Sequence, residues 1–240
     1  MNFNSKWISA AIAAGAVFAP AAARAQALNP SFSLDANFDT KGSNFYGAGM
    51  YLGLPSTSAL SPYVDLYTYY LNYPAGSTRG SIHAFNPSVG LSYATGRSSV
   101  SAGIGYAWVS KNSSAPSINS QRGSESGITA SLGAHTTGLG ERPYKAEFLG
   151  NYNFGSDYLW TRARASVPAG YSVTHPSRIG LEIVGQGSNH NGASSHSFSF
   201  GPTFETELTR QLGFTVSAGP QFNSHGGTAA YLSLSLGINP

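Results

Sequence analysis

The chain contains no cysteine, which excludes a disulfide scaffold and fits an exported chain that folds without one. Charged side chains make up only 10% of its 240 residues, against about a quarter in ordinary soluble domains. That is too few for a sheet that shows Lys and Glu to water. Lysine and arginine form no cluster, so the phosphate footprint of a nucleic-acid binder is missing and no nucleic-acid partner is expected. Past the N-terminal stretch no apolar run is long enough for a membrane helix, so any membrane crossing has to be made of strands. His83, His135, His175 and His225 have no i,i+2 or i,i+4 partner and read as loop or lumen polar groups, not metal ligands. Glycine-rich turns such as Gly226-Gly227 carry no P-loop or dinucleotide pattern. Neither a metal nor a cofactor is expected.

The first segment has Lys6, an Ala-rich apolar stretch from Trp7 to Phe18, Pro20, and small residues with A-x-A spacing at Ala23-Arg24-Ala25 and Ala25-Gln26-Ala27. This is the composition of a cleaved signal peptide, here residues 1–27. Loss of Lys6 and Arg24 takes the formal net charge from +3 to +1. Residues 28–240 then form one domain.

Within that domain the dominant feature is a two-residue rhythm. Val100, Ala102, Ile104, Tyr106 and Trp108 alternate with Ser99, Ser101, Gly103, Gly105 and Ala107; Phe32, Leu34, Ala36 and Phe38 alternate with Ser33, Asp35, Asn37 and Asp39. Beats of this kind recur about twelve times, each near the roughly 9–11 residues a tilted strand needs to cross a bilayer. The expected fold is all-β: a closed antiparallel transmembrane β-barrel of about twelve strands, in the bacterial outer membrane after export through the periplasm. An even strand number follows from both termini lying on the periplasmic side. The polar stretch Lys111 to Gly123 reads as a long extracellular loop, and Ser188 to Ser197 as a Gly/Asn/Ser turn. A soluble sandwich shares the alternation but would carry far more charge on its outer face.

Register follows from cost. Arg162 and Arg164 share one face of a strand, and each costs roughly 2–4 kcal/mol if turned to the bilayer midplane. They must point into the lumen, leaving Leu159, Thr161, Ala163 and Ala165 to lipid. The same argument turns Lys145, Glu147, Glu182, Glu205 and Glu207 inward, with Phe148, Ile183, Phe200 and Phe204 on the alternate face. Asp65 inward brings Tyr63, Tyr67, Tyr69 and Tyr73 with it, and sends Val64, Leu66 and Tyr70 out.

The candidate ligand-binding lining is therefore Asp65, Tyr67, Tyr69, Glu147, Trp160, Arg162, Arg164, Glu182, Glu205 and Glu207. Guanidinium groups can order a polar solute or anionic sugar bidentately, and flat rings with hydroxyls suit sugars; the same charges also serve as a salt-bridge plug. Tyr46, Tyr51, Tyr73, Trp108, Tyr144 and Tyr158 lie near strand ends, where interfacial aromatic belts sit. Between His190 and His196 no Ser has the base and orienting group a nucleophile requires. No catalytic residue is assigned.

The segments Asn44-Phe45-Tyr46-Gly47-Ala48-Gly49, Ser61-Pro62-Tyr63-Val64-Asp65, Tyr158-Leu159-Trp160-Thr161-Arg162-Ala163-Arg164-Ala165 and Ile179-Gly180-Leu181-Glu182-Ile183-Val184-Gly185 resemble the BcsS family of bacterial cellulose biosynthesis proteins. Phe200-Gly201-Pro202-Thr203-Phe204-Glu205 and Gly213-Phe214-Thr215-Val216-Ser217-Ala218-Gly219 follow in the same order. The resemblance implies a non-enzymatic outer-membrane barrel accessory to cellulose or related exopolysaccharide biosynthesis or export. Its partners would be outer-membrane lipid, polysaccharide and other cellulose-secretion components. A small general pore or structural barrel is the second reading, and an outer-membrane lipid hydrolase the third.

Overall fold

A computed structural model of the chain describes residues 29–75, 78–113, 123–124, 126–137, 143–169, 176–190, 193–224 and 227–238. The segment read as a signal peptide lies outside these residues, as do His175, His225 and most of the polar loop before Gly123. The strands are β1 (Asn29–Asp39), β2 (Asn44–Gly53), β3 (Leu60–Ala75), β4 (Thr78–Thr95), β5 (Ser98–Ser113), β6 (Gly123–Ser124), β7 (Gly127–Thr137), β8 (Lys145–Asn153), β9 (Tyr158–Pro168), β10 (Ser177–His190), β11 (Ala193–Glu207), β12 (Leu212–Asn223) and β13 (Gly227–Ile238). The two residues of β6 only flank β5 at Ser110 and Lys111. The other twelve form the wall.

Every wall strand pairs antiparallel with its neighbours in sequence, and β1 returns to β13 over Phe32↔Ile238 to Asp39↔Tyr231. The ring of described strands is closed, so the wall has no free sheet edge, the condition for crossing hydrocarbon. The expected up-and-down barrel of about twelve strands is the observed one. Its two termini meet at one rim, here the terminal rim; the segment between β5 and β7 lies at the opposite, far rim.

Turn chemistry sets the tight connections. Asp39 Oδ1 accepts from the amides of Lys41 (2.8 Å) and Ser43 (2.9 Å), and Gly42 takes φ +92°. Gly96 at φ +57° links β4 to β5. At two other places local turn signals mislead. Pro74 has no amide N–H to give a ladder, yet β3 and β4 stay paired through Pro74↔Arg79 to Ala75↔Thr78. The segment read as a turn between Ser188 and Ser197 is mostly ladder, running to His190↔Ala193. Likewise β5 continues through Lys111 to Ser113, inside the expected loop. Cross-strand pairing in these long hairpins outweighs weak local preference.

The outer surface is apolar and the inner one polar, as the alternation requires. Ile104 (59% exposed), Leu132 and Leu181 (64%) face outward, while the buried residues include Thr129, Ser166, Glu182, Thr203 and Ser217, with a small patch of Ala84, Ala107 and Val109 against Tyr69 and Ile82. Ile104→Arg should cost about 2–4 kcal/mol of folding stability in a bilayer. Ser101→Arg, on the inward face of the same strand, should cost much less. Urea unfolding in lipid vesicles compares the two, and equal losses would refute the inside-out assignment.

Outward aromatic rings gather toward the far rim. Phe38 meets Tyr46 edge-on at 5.8 Å, Tyr46 stacks on Tyr70 at 6.4 Å, Phe85 stacks on Trp108 at 6.0 Å, and Phe200 stacks on Phe222 at 6.2 Å. This is a girdle, and Tyr46 and Trp108 belong to it. Tyr51, Tyr73 and Tyr158 do not. Tyr51 stacks at 5.0 Å on the inward, 6%-exposed Tyr63. Tyr73 covers the inner face of Gly80, and Tyr158 shares the inward parity of Arg162. Closeness to a strand end put these three in the belt, but parity decides which side a ring takes.

Candidate functional site: the lumen

The inward residues divide into two walls. One is charged and built by β8 to β11. Register places Arg164 beside both Glu147 and Glu182. Arg164 donates to Glu182 Oε2 through Nε at 3.1 Å and through its terminal nitrogen, with the two side chains 7% and 1% exposed. Glu147 is instead held diagonally by Arg162 at 2.8 Å. Lys145 reaches Glu205 at 2.7 Å across two intervening strands. The contact is diagonal: Lys145 is level with Ser166 and Gly180, whereas Glu205 is level with Arg178. Arg162 also lies 5.8 Å over the Trp160 ring on its own strand.

The facing wall is aromatic. Tyr67 lies on Gly47 and Gly49, where an added Cβ would stand 2.1 Å from its hydroxyl and 3.1 Å from its ring respectively. Tyr63 lies on Gly90 and Gly103 in the same way, 2.4 Å from each missing Cβ. Tyr69 stacks on Phe45 at 5.6 Å and lies 6.4 Å from Tyr67. Glycine on the inner face thus gives each tyrosine a floor to lie against, and the ring covers the backbone that glycine exposes.

The walls meet across the bore. β3 and β9 stand five places apart on the ring of twelve, close to opposite. Yet Arg162 is within electrostatic reach of Tyr67 and Asp35, and Tyr158 within reach of Tyr69. Asp35 ties the crossing to the seam: it accepts from Ser235 at 2.7 Å and from Tyr67 at 3.5 Å. Among the described residues, long side chains narrow the bore at the levels of Tyr67 and Tyr69.

Of the residues singled out from sequence, Glu147, Trp160, Arg162, Arg164, Glu182 and Glu205 share the charged wall, and Asp65, Tyr67 and Tyr69 the facing one. Glu207 is a correction: it is exposed at the terminal rim, next to the β11–β12 turn, because β11 ends there. Asp35, Arg178, Tyr158 and Tyr231 were missed. Arg178 donates to Ser166 Oγ at 3.1 Å and to the Pro143 carbonyl at 2.8 Å. Tyr231, 7% exposed, interacts electrostatically with Glu182 and Arg164. The signal for Tyr231 was present, since Tyr231, Ser233 and Ser235 alternate with Leu232, Leu234 and Leu236.

At the far rim His196 is exposed, and its amide donates to Ser224 Oγ at 3.0 Å. Among the described residues no group of three or more His, Asp or Glu side chains is placed to hold a metal ion.

No family model and no curated protein matches the chain, so the BcsS likeness rests on the quoted residues alone. Solved structures do match in fold. The β domain of the Bordetella autotransporter BrkA superposes with a TM-score of 0.51 at 12% identity, covering 89% of this chain and 99% of that one. LpxR from Salmonella typhimurium superposes with a TM-score of 0.51 at 10% identity, covering 88% and 100%. The fold is that of an outer-membrane β-barrel, a closed antiparallel barrel of twelve strands.

Proposed function

We propose that the protein is a narrow pore for small polar solutes. The observation that supports this is the two-sided lumen, with paired charges on β8 to β11 facing tyrosines on β2 and β3, and side chains from nearly opposite strands approaching across it. Twelve strands fall between the eight whose interior is filled by side chains and the sixteen or more that leave a wide channel. A bore of intermediate width, lined by groups that replace water's hydrogen bonds, passes small hydrophilic molecules and excludes large ones. Purified protein in a planar bilayer should give small, steady conductance steps. Absence of any step would leave a purely structural barrel.

A narrower reading assigns the lumen to sugar, as an accessory of exopolysaccharide export. It is favoured by Tyr67 and Tyr69 on the wall facing the Arg162 guanidinium, since flat rings with hydroxyls and a forked donor are what a pyranose chain engages. Cello-oligosaccharide should then reduce the current in a dose-dependent way, and Tyr69→Ala should weaken that block by about tenfold. If current flows but the oligosaccharide leaves it unchanged, the sugar reading fails and the pore stands.

A further inference from the structure

Between the two mouths of the barrel, five carboxylates point inward: Asp35, Asp65, Glu147, Glu182 and Glu205. Four inward cations face them, Lys145, Arg162, Arg164 and Arg178, the last in register with Glu205. Lys111 stands toward the far mouth, near the end of β5. Each of the three glutamates is held in an ion pair. Asp35 accepts from Ser235 and Tyr67 and lies in the field of Arg162.

Asp65 differs. Among the described residues it makes neither a hydrogen bond nor an ion pair. Its cross-strand neighbours are Tyr51 and Ser88, and Tyr63 and Tyr67 flank it on the same face of β3. None carries positive charge. It stands on the aromatic wall, away from the charges of β8 to β11.

We propose that Asp65 makes this lumen selective for small cations over anions. The inference rests on the pore reading and adds its substrate class. Paired charges close together largely cancel a few ångströms away. An uncompensated carboxylate inside a narrow, low-dielectric wall does not: it concentrates cations near itself and depletes anions. The neutral tyrosines around it neither quench that field nor supply a competing cation.

The test is the reversal potential in a potassium chloride gradient, measured on the full chain in planar bilayers. Wild-type protein should prefer potassium over chloride. Asp65→Asn should lower the permeability ratio by about threefold to fivefold, and Asp65→Lys should lower it further. Because Asp65 holds no partner, both variants should keep the mobility shift on heating that marks a folded barrel. Where the wild-type current is too small, Tyr67→Ala provides a wider background of unchanged charge for the same comparison. Conductance with equal permeabilities, or a ratio that Asp65→Asn does not move, would overturn the selectivity role and leave the pore intact. No conductance in either background would overturn both.

Discussion

Glu182→Ala lowers the stability of the folded barrel by about 3–5 kcal/mol, read as a fall in the urea midpoint of protein refolded in lipid vesicles. Glu182 is 1% exposed and holds Arg164, itself 8% exposed, through two donors of its guanidinium. Removing the carboxylate leaves a guanidinium out of water with no acid in hydrogen-bond contact, because neighbouring Glu147 is engaged by Arg162. The cost comes mainly from that stranded charge, not from the value of the intact pair. A double variant, Arg164→Met with Glu182→Leu, therefore recovers most of the loss, since apolar residues of similar volume often replace a buried ion pair without penalty. The intact pair is also incompletely satisfied: Glu182 Oε1 and the Tyr231 hydroxyl, both buried, lack hydrogen-bond partners among the described residues. If the single and double variants are equally destabilised, the ion pair is not what the wall depends on at this point.

Tyr67→Ala raises the single-channel conductance by on the order of twofold. The ring lies across from Arg162, and its removal takes the largest group out of the narrowed level without changing charge. The opposite result is expected on the floor beneath it. Gly47→Val places a Cβ about where the Tyr67 hydroxyl now lies, 2.1 Å away, so the ring must lift toward the bore and reduce the current. Tyr46→Ala is the control, one residue away on β2 but stacked on the outer surface against Tyr70. A change for Tyr46→Ala as large as that for Tyr67→Ala would mean that conductance responds to general loosening of the barrel. No change for Tyr67→Ala would place the limiting constriction elsewhere.

Much of this was readable from residue order because lipid exacts its cost side chain by side chain. A guanidinium in hydrocarbon is prohibitive whatever surrounds it, and in a strand the side of one residue sets the side of all the others. Arg162 and Arg164 alone therefore oriented β9, and Asp65 oriented β3. The apolar belt, the polar bore and the approximate strand number follow from such local decisions.

Partnership is a different matter. A period of two states which face a residue occupies and nothing about what lies two strands away or across the ring. Only the closed barrel carries Lys145 diagonally to Glu205, joins Asp35 of the first strand to Ser235 of the last, and brings Tyr158 within reach of Tyr69. It also decides how far hairpins extend past their turn signals, since pairing energy is shared between strands that the chain order does not weigh together. Sequence by itself determined inside and outside, because solvation acts on each side chain separately; tertiary structure determined who meets whom, because contact requires closure.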